Sequence, residues 1–265
     1  MSMQDHLEEP ASRRRGIQSV EIGFRVIEAL ASLGEAVPLS AVAQESGLSP
    51  PQAHRYLASL VASGMAQQDN KTGRYDLGPA SLRLGLSALA RIDAFNIADV
   101  AIAAYVARTG RTVQIAALGP LGPTVVRWHM GRPAVMTSFN VGAVLPLLHS
   151  ATGHIFLSFL PEQEIDGLLQ REGGGETVDV AQVQTIRKRV RAAGRADVEG
   201  TLIPGLRATA CPIFDLQGRP ILSATALAAG TSARAGDKAR DKDAMADLVE
   251  TCRDVSARLG WRHRV

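Results

Sequence analysis

The sequence lacks several features that would assign it to common classes of protein. Its 265 residues include only two cysteines, Cys211 and Cys252, too few for a disulfide framework. Aromatic residues make up 4% of the chain, and no apolar run reaches the roughly 18 residues that a membrane span needs. The first 15 residues have no apolar core of a signal peptide. We therefore expect a cytoplasmic protein without a membrane partner.

A strongly basic balance is also missing. Residues 1–90 hold eight Lys and Arg against nine Asp and Glu, so overall charge does not point to nucleic acid. One local feature differs, because Arg13, Arg14 and Arg15 are consecutive. A basic arm of this kind commonly lies in a DNA groove or along phosphates, and a solvated tail is the alternative interpretation.

Residues 37–64 have the pattern of two short helices joined by a tight turn. Val42, Ala43 and Ser46 would form the inner face of the first helix. Gly47 follows where the chain must reverse, and glycine tolerates the positive φ of such a turn. The inner face of the second helix has the i, i+3, i+4, i+7 spacing of an amphipathic helix and comprises Ala53, Tyr56, Leu57 and Leu60.

A third helix and a hairpin complete this region. Residues 19–33 predict a helix with Ser19 as N-cap. Its predicted inner face comprises Val20, Phe24, Ile27 and Leu30. Residues 65–68 and 74–77 are strand-like runs around a turn-rich tip. This order of elements predicts a winged helix-turn-helix, a DNA-binding fold, rather than a helical hairpin of other use.

Donors and cations that project from these elements are the candidate DNA contacts. Residues on the outer face of the second helix suit base edges and phosphates, and the hairpin tip would lie near the DNA backbone. With the basic arm, the candidates are Arg13, Arg14, Arg15, Ser49, Gln52, His54, Arg55, Lys71 and Arg74.

The remainder of the chain alternates helices with strand pairs. Strands are predicted over residues 113–118, 124–130, 134–138, 209–214 and 220–228, and helices over residues 80–92, 96–108, 150–160, 162–170, 180–193 and 242–259. Short turns between paired strands predict an α+β domain with an antiparallel sheet. The helix over residues 80–92 has an apolar stripe that could pair with a second copy, comprising Leu82, Gly85, Leu86 and Leu89.

No catalytic or metal-binding constellation is recognisable. The sequence has no Gly-x-Ser-x-Gly, Cys-x-x-Cys or His-x-x-x-His motif. Cys211 could be a nucleophile with His149 or His154, but nothing in the sequence supplies an orienting third group. A cysteine in an apolar strand more often packs in a core. We expect no enzyme, metal or cofactor; an enzyme or redox sensor using Cys211, or Cys252, remains the alternative.

Several motifs together resemble the IclR family of bacterial transcription regulators. They extend from about residue 16 to the C-terminus, and none is specific alone. They include Gly47-Leu-Ser, His54-Arg-Tyr-Leu, Gly73-Arg-Tyr-Asp-Leu-Gly78, Leu145-Pro-Leu-Leu-His-Ser-Ala-Thr-Gly153 and Pro204-Gly-Leu-Arg-Ala-Thr-Ala-Cys-Pro-Ile-Phe-Asp215.

The resemblance implies a ligand-responsive regulator that binds double-stranded operator DNA as a homodimer or homotetramer. The predicted layout is a basic arm (residues 1–16), a winged helix-turn-helix domain (17–78), a linker helix (79–94) and a GAF-like effector-binding and oligomerisation domain (95–265). The sequence leaves open whether the protein represses or activates, which operon it controls and which effector it binds.

The resemblance also indicates where a small organic acid would bind. The small residues at 150–153 would leave backbone N–H groups free for an anion at a helix start. His154 replaces the family's usual Lys. Leu227 stands where relatives often have a second hydroxyl, which favours an aromatic or hydrophobic acid, unless Leu227 is simply core. The candidate effector residues are Trp128, Met130, Ser150, Ala151, Gly153, Ala208, Cys211, Thr225 and Leu227, with Ala210 beside them.

Overall fold

The computed structural model describes residues 16–89, 92–173, 178–229 and 235–262. The chain divides into two compact units, one ending at Ile92 and the other beginning at Asp93. Among the described residues, no helix is both long enough and apolar enough to cross a membrane. The predicted basic arm, Arg13 to Arg15, lies outside the described residues.

The first unit has the predicted winged helix-turn-helix fold. Its two short strands pair antiparallel, with Gln67 opposite Asp76. In chain order its elements are α1 (Gln18–Leu33), α2 (Leu39–Ser46), α3 (Pro50–Ala62), β1 (Ala66–Gln68), β2 (Tyr75–Leu77) and α4 (Pro79–Leu89).

Glycine and small residues produce the turn between α2 and α3 as predicted. Gly47 has a φ of +68°, and its N–H bonds back to the end of α2. Val42 and Ala43 on α2 are buried, as are Ala53 and Leu57 on α3. These buried side chains pack α3 against the other helices, and its opposite face is in solvent.

The predicted inner face of α1 is partly wrong. Val26, Ala29 and Leu30 are buried, whereas Val20 and Phe24 are 51% and 56% exposed. The helix has more apolar residues than one face accommodates, and only the set nearest α2 and α3 packs inward. Its N-cap is Ile17 rather than the predicted Ser19.

The second unit is built on a five-stranded antiparallel sheet with the order β4-β3-β7-β6-β5. Its strands are β3 (Thr112–Gly119), β4 (Gly122–His129), β5 (Ala196–Glu199), β6 (Leu206–Phe214) and β7 (Pro220–Ala229). Its helices are α5 (Ala94–Thr109), α6 (Ala151–Phe159), α7 (Glu162–Glu172), α8 (Val180–Ala193) and α9 (Ala235–Arg258).

Helices cover both faces of this sheet, so the unit has two cores. One core lies on the side of α6, α7 and α8 and includes Ala210 of β6. The other lies on the side of α5 and α9 and includes Cys211 and Ile213 of the same strand. Successive side chains of a strand point to opposite faces, which explains this division.

One predicted strand is absent, and one strand was not predicted. Residues 134–138 form no strand, because Gly142–Leu145 pairs with the outer edge of β4 instead, through Val125 N–H to Ala143 O at 2.9 Å. The N–H of Val135 bonds to the side-chain hydroxyl of Thr112 in β3 rather than to a backbone carbonyl of a neighbouring strand. The edge strand β5 was not predicted, since two of its four residues, Asp197 and Glu199, are acidic and exposed.

Candidate DNA interface and effector site

The start of α3 is fixed by a capping box. Ser49 is the N-cap, and the Oε1 atom of Gln52 accepts hydrogen bonds from the Ser49 N–H (3.2 Å) and hydroxyl (3.0 Å). These bonds satisfy an N–H that the helix itself leaves unpaired. Because the oxygen of Gln52 is used in this way, its NH₂ group is the part that remains to donate outward.

The other predicted DNA contacts in this unit lie in solvent. His54 and Arg55 are exposed on α3, and Lys71 is exposed at the tip of the β1–β2 hairpin. Arg74 has a structural contact as well, because its Nη1 donates to the Ala36 carbonyl at 3.0 Å and ties the hairpin to the α1–α2 connection. The described contacts are therefore compatible with a DNA-facing α3 and hairpin.

The hairpin tip is ordered by a carboxylate. Asp69 accepts hydrogen bonds from the N–H and hydroxyl of Thr72 and from the N–H of Lys71, at 2.7 to 2.9 Å. These bonds, those from Thr72 foremost, hold the pKa of Asp69 below its usual range. The turn therefore presents Lys71 in a defined position even though its side chain is exposed.

A cavity lies in the second unit between the sheet and the start of α6. Its volume is about 40 Å³, so a ring-sized ligand requires its wall to move. The β5–β6 loop forms part of that wall with Thr201, Leu202 and Ile203. The other lining residues are Gln114, Thr137, Phe139, Leu145, His149, Ser150, Ala151, Thr152, Val198, Leu206, Ala208, Thr225 and Leu227.

The floor of the cavity is polar although most of its walls are apolar. Gln114 of β3 donates through Nε2 to the Thr152 hydroxyl at 3.1 Å, and Thr152 is 2.7 Å from the hydroxyl of Thr225. Gln114 and Thr225 are cross-strand partners of β3 and β7. This chain of bonds joins the sheet to α6 inside the cavity.

Ser150 organises the start of α6. Its hydroxyl donates to the Pro146 carbonyl at 2.6 Å and accepts from the Gly153 N–H at 2.8 Å. The Gly153 N–H is consequently used by the protein and is not open to an anion, contrary to the prediction. Within the described contacts, the N–H groups of Ala151 and Thr152 have no acceptor, and the positive end of the helix dipole remains there.

The structure brings five predicted effector residues into this cavity, namely Ser150, Ala151, Ala208, Thr225 and Leu227. The other four predictions are corrected as follows.

Trp128 is on the same face of the sheet as its cross-strand partner Gln114 but does not line the cavity, and Met130 lies beyond the end of β4 and is 51% exposed. Gly153 is a packing residue, since an added Cβ would stand 2.1 Å from the Pro146 carbonyl oxygen. Cys211 faces α5 and α9 on the opposite side of the sheet. Ala210, on the cavity side, is buried in the core under α6.

Sequence reasoning missed the polar floor and the loop wall. Gln114 lies among apolar residues of β3, and the only signal was an amide in an otherwise apolar strand. Thr152 was seen only as a small residue of the α6 start. Phe139 and Thr201 lie in segments without periodicity, and only the three-dimensional structure places them at the cavity.

The cysteines do not form an accessible redox site. Cys211 and Cys252 are each 1% exposed in the core between the sheet and α9. A hydrogen bond with Cys211 and burial raise the pKa of the Cys252 thiol. Thiolate is the reactive form of cysteine, so this environment disfavours chemistry at Cys252.

His154, the residue in place of the family's usual Lys, is buried behind the α6 start. Its Nε2 is 2.9 Å from the Leu148 carbonyl oxygen, and burial lowers its pKa. The neutral form is therefore favoured, and His154 does not supply the fixed positive charge that a lysine would.

The two units correspond to two family models. The IclR helix-turn-helix domain matches residues 19–70, and the bacterial transcriptional regulator IclR C-terminal domain matches residues 86–257. The chain belongs to the IclR family. Its members are transcription regulators that bind DNA and are not enzymes, so the enzymatic alternative for Cys211 is excluded.

Relatives match over most of their length. The Escherichia coli transcriptional repressor IclR is 24% identical over 92% of this chain and 90% of its own. The glycerol operon regulatory protein of Streptomyces griseus is 30% identical over 76% of this chain and 80% of its own. The crystal structure of Pseudomonas aeruginosa HmgR superposes with a TM-score of 0.80 at 35% identity, covering 94% of this chain and all (100%) of that one.

Proposed function

We propose that this regulator senses a small aromatic or hydrophobic carboxylic acid in the cavity beside α6. Binding of the acid would change its affinity for operator DNA. The observation that carries the proposal is the cavity itself, an apolar chamber with a few convergent polar groups. Small-molecule sites in proteins have this character. We further propose that the protein acts as a homodimer or homotetramer in the cytoplasm.

The start of α6 suits a single carboxylate. The N–H groups of Ala151 and Thr152 add to the positive end of the helix dipole, and His149 is exposed beside them. The apolar remainder of the ligand would meet Phe139, Leu145 and other wall residues, and Leu227 makes this side of the cavity more apolar than a second hydroxyl would.

On the DNA side, we propose that α3 enters the major groove. The outward NH₂ of Gln52 would read a base edge, and Arg55 would hold a phosphate. Lys71 and Arg74 of the hairpin would approach the DNA backbone beside the groove. Effector binding would then bias the placement of two such domains in an oligomer, so that their spacing fits or misses the two half-sites.

A thermal-shift screen tests the sensor directly. A ligand that binds only the folded protein raises its melting temperature, so benzoate, 3-phenylpropanoate and related acids should stabilise it, while their amides should not. Ala151→Phe should abolish the shift by filling the cavity. Ala192→Phe, at an exposed position of α8, is the matched control.

Ala151 is 2% exposed, so the larger side chain could disturb folding. Ala208→Leu, at a half-buried wall position, is therefore the second variant. Equal shifts in melting temperature with acids and amides would contradict the carboxylate contact. Full shifts in both cavity variants would place the ligand elsewhere.

A further inference from the structure

The net positive charge of this protein lies outside its DNA-binding unit. Residues 1–92 hold nine Lys and Arg against nine Asp and Glu, a net of 0. Residues 93–265 hold 20 Lys and Arg against 17 Asp and Glu, a net of +3. Attraction to DNA that does not depend on base sequence comes from positive charge facing the phosphates. The second unit is therefore the part of the chain with net charge to supply it.

Helix α8 concentrates positive charge on its exposed side. The helix, Val180–Ala193, contains four basic residues and no acidic one. Arg187 is buried, whereas Lys188, Arg189 and Arg191 are exposed. At about 100° per residue, the three exposed residues fall within roughly 160° of the helix circumference. These three side chains form one continuous surface, which we call the basic face of α8.

The acidic residues that adjoin α8 are engaged with other groups. Glu162 forms an ion pair with the buried Arg187, and Asp197 forms one with Arg195 beyond the end of the helix. Asp179 is the N-cap of α8 and accepts a backbone N–H of the first turn, at the other end of the helix. Among the described residues, the basic face itself has no ion-pair partner. Its charge is therefore available to a partner outside the chain.

One member of the basic face is held in place by the end of α6. The Nε atom of Arg191 donates to the Ser158 carbonyl at 2.6 Å, which fixes the plane of its guanidinium group. Within the described contacts, the two Nη atoms of Arg191 have no acceptor. A guanidinium group with both Nη atoms free binds two phosphate oxygens in parallel. Arg191 is therefore preorganised for a phosphate group.

We propose that the basic face of α8 is a second DNA contact, which binds phosphates irrespective of base sequence. The inference goes beyond the proposed sensor function and does not depend on it. Phosphate contacts from Lys and Arg add affinity without sequence information. DNA is the partner that fits this face, because a duplex carries one negative charge per ~1.7 Å of its axis and can meet all three side chains at once.

The salt dependence of binding to a long random-sequence duplex tests the proposal with the full-length protein. Each phosphate contact contributes about 0.9 to the slope of log K against log salt concentration. Lys188→Gln, Arg189→Gln and Arg191→Gln together should therefore make the slope shallower by about 2.7 between ~50 and ~200 mM salt. Operator and random DNA should lose affinity by the same factor. If this triple variant folds poorly, the first two substitutions alone should make the slope shallower by about 1.8.

A second triple variant, on α9, is the matched control. Lys242→Gln, Arg253→Gln and Arg258→Gln together remove the same charge from the same unit. These three residues are exposed, but acidic residues of α9 lie between them in the sequence. The α9 variant should keep the wild-type slope on both operator and random DNA.

Three outcomes would overturn the proposal. An unchanged slope in the α8 variant would mean that the basic face meets solvent or an acidic protein rather than DNA. Equal changes of slope in the α8 and α9 variants would mean that net charge, and not this surface, is responsible. A loss of affinity confined to operator DNA would also contradict the proposal, because phosphate contacts carry no sequence information.

Discussion

Gln52 combines a structural hydrogen bond with a free donor group on the exposed face of α3. Its oxygen caps α3 by accepting from Ser49, which leaves its NH₂ group to face outward. The exposure of Gln52 was predictable from the helical spacing. The use of its oxygen as a cap, with its NH₂ group left free, was not predictable. Ser49 also bonds to Gln52 through its hydroxyl, so it is less available as a phosphate anchor than its position in the sequence indicates.

Two substitutions separate these roles of Gln52. Gln52→Glu keeps the capping oxygen but removes the donor, so the preference for operator over random DNA should fall by ~1–3 kcal/mol without loss of fold stability. Gln52→Ala should lose the same preference and also about 0.5–1 kcal/mol of stability through the cap. DNA-binding titrations and thermal unfolding measure the two effects.

Arg55→Ala is the comparison for phosphate binding. It should weaken operator and random DNA alike and reduce the salt dependence of binding. A Gln52→Glu protein that still discriminates operator from random DNA as well as the wild type would contradict the base-reading role.

Among the elements, those with strong periodicity or turn signals were predicted well and those without were not. The α2–α3 pair follows from Gly47 and the spacing of its inner residues, and α8 has the predicted bounds, residues 180–193. The short edge strand β5 was missed because pairing with β6, rather than its own composition, makes it a strand. Residues 134–138 have strand-like composition, but Val135 bonds to the side chain of Thr112 and Thr137 bonds to Phe139 instead.

Helix α4 leaves apolar side chains uncovered in the single chain. Leu82 and Leu86, one turn apart, are 65% and 57% exposed. Leu84 is 57% exposed and points to another side of the helix. The side chain of Leu89, the last member of the predicted stripe, lies outside the described residues. We expect the Leu82–Leu86 side to pack against a second copy.

Leu86→Glu tests this assembly. A symmetric dimer would bury Leu86 twice, at ~1.5–3 kcal/mol each, so the variant should associate more than a hundredfold more weakly. Sedimentation should show a smaller species, and operator binding should be lost. Leu84→Glu, the same change on another side of α4, should have a smaller effect. If both variants sediment as the wild type does, α4 is not the dimer contact.

For the whole molecule, most of the order of elements was predictable, while the residues that line the cavity were predictable only in part. The motif around Ser150 located the start of α6, and the family resemblance indicated Ala208, Thr225 and Leu227, which line the cavity. Gln114 was missed because β3 is otherwise apolar, and Cys211 was assigned to the wrong face. The face of a strand that meets the cavity depends on which helices pack on each side, and local sequence does not determine that.

If the cavity binds the effector, the cavity and the DNA-binding domain are two sites of one coupled system. Ligand and operator must then alter each other's affinity, and such coupling is typically worth ~1–3 kcal/mol, or about 5- to 150-fold. A ligand that binds without this effect would be incidental to regulation. The operator probe is the DNA upstream of the protein's own gene.

The most direct test is to measure operator affinity with and without a saturating aromatic or hydrophobic carboxylate that stabilises the protein. The wild type should change its dissociation constant at least fivefold on adding the acid, in either direction. Ala208→Leu and Ala151→Phe should each show the same dissociation constant with and without it. An unchanged operator affinity in the wild type under saturation, or an undiminished response in both variants, would contradict the account.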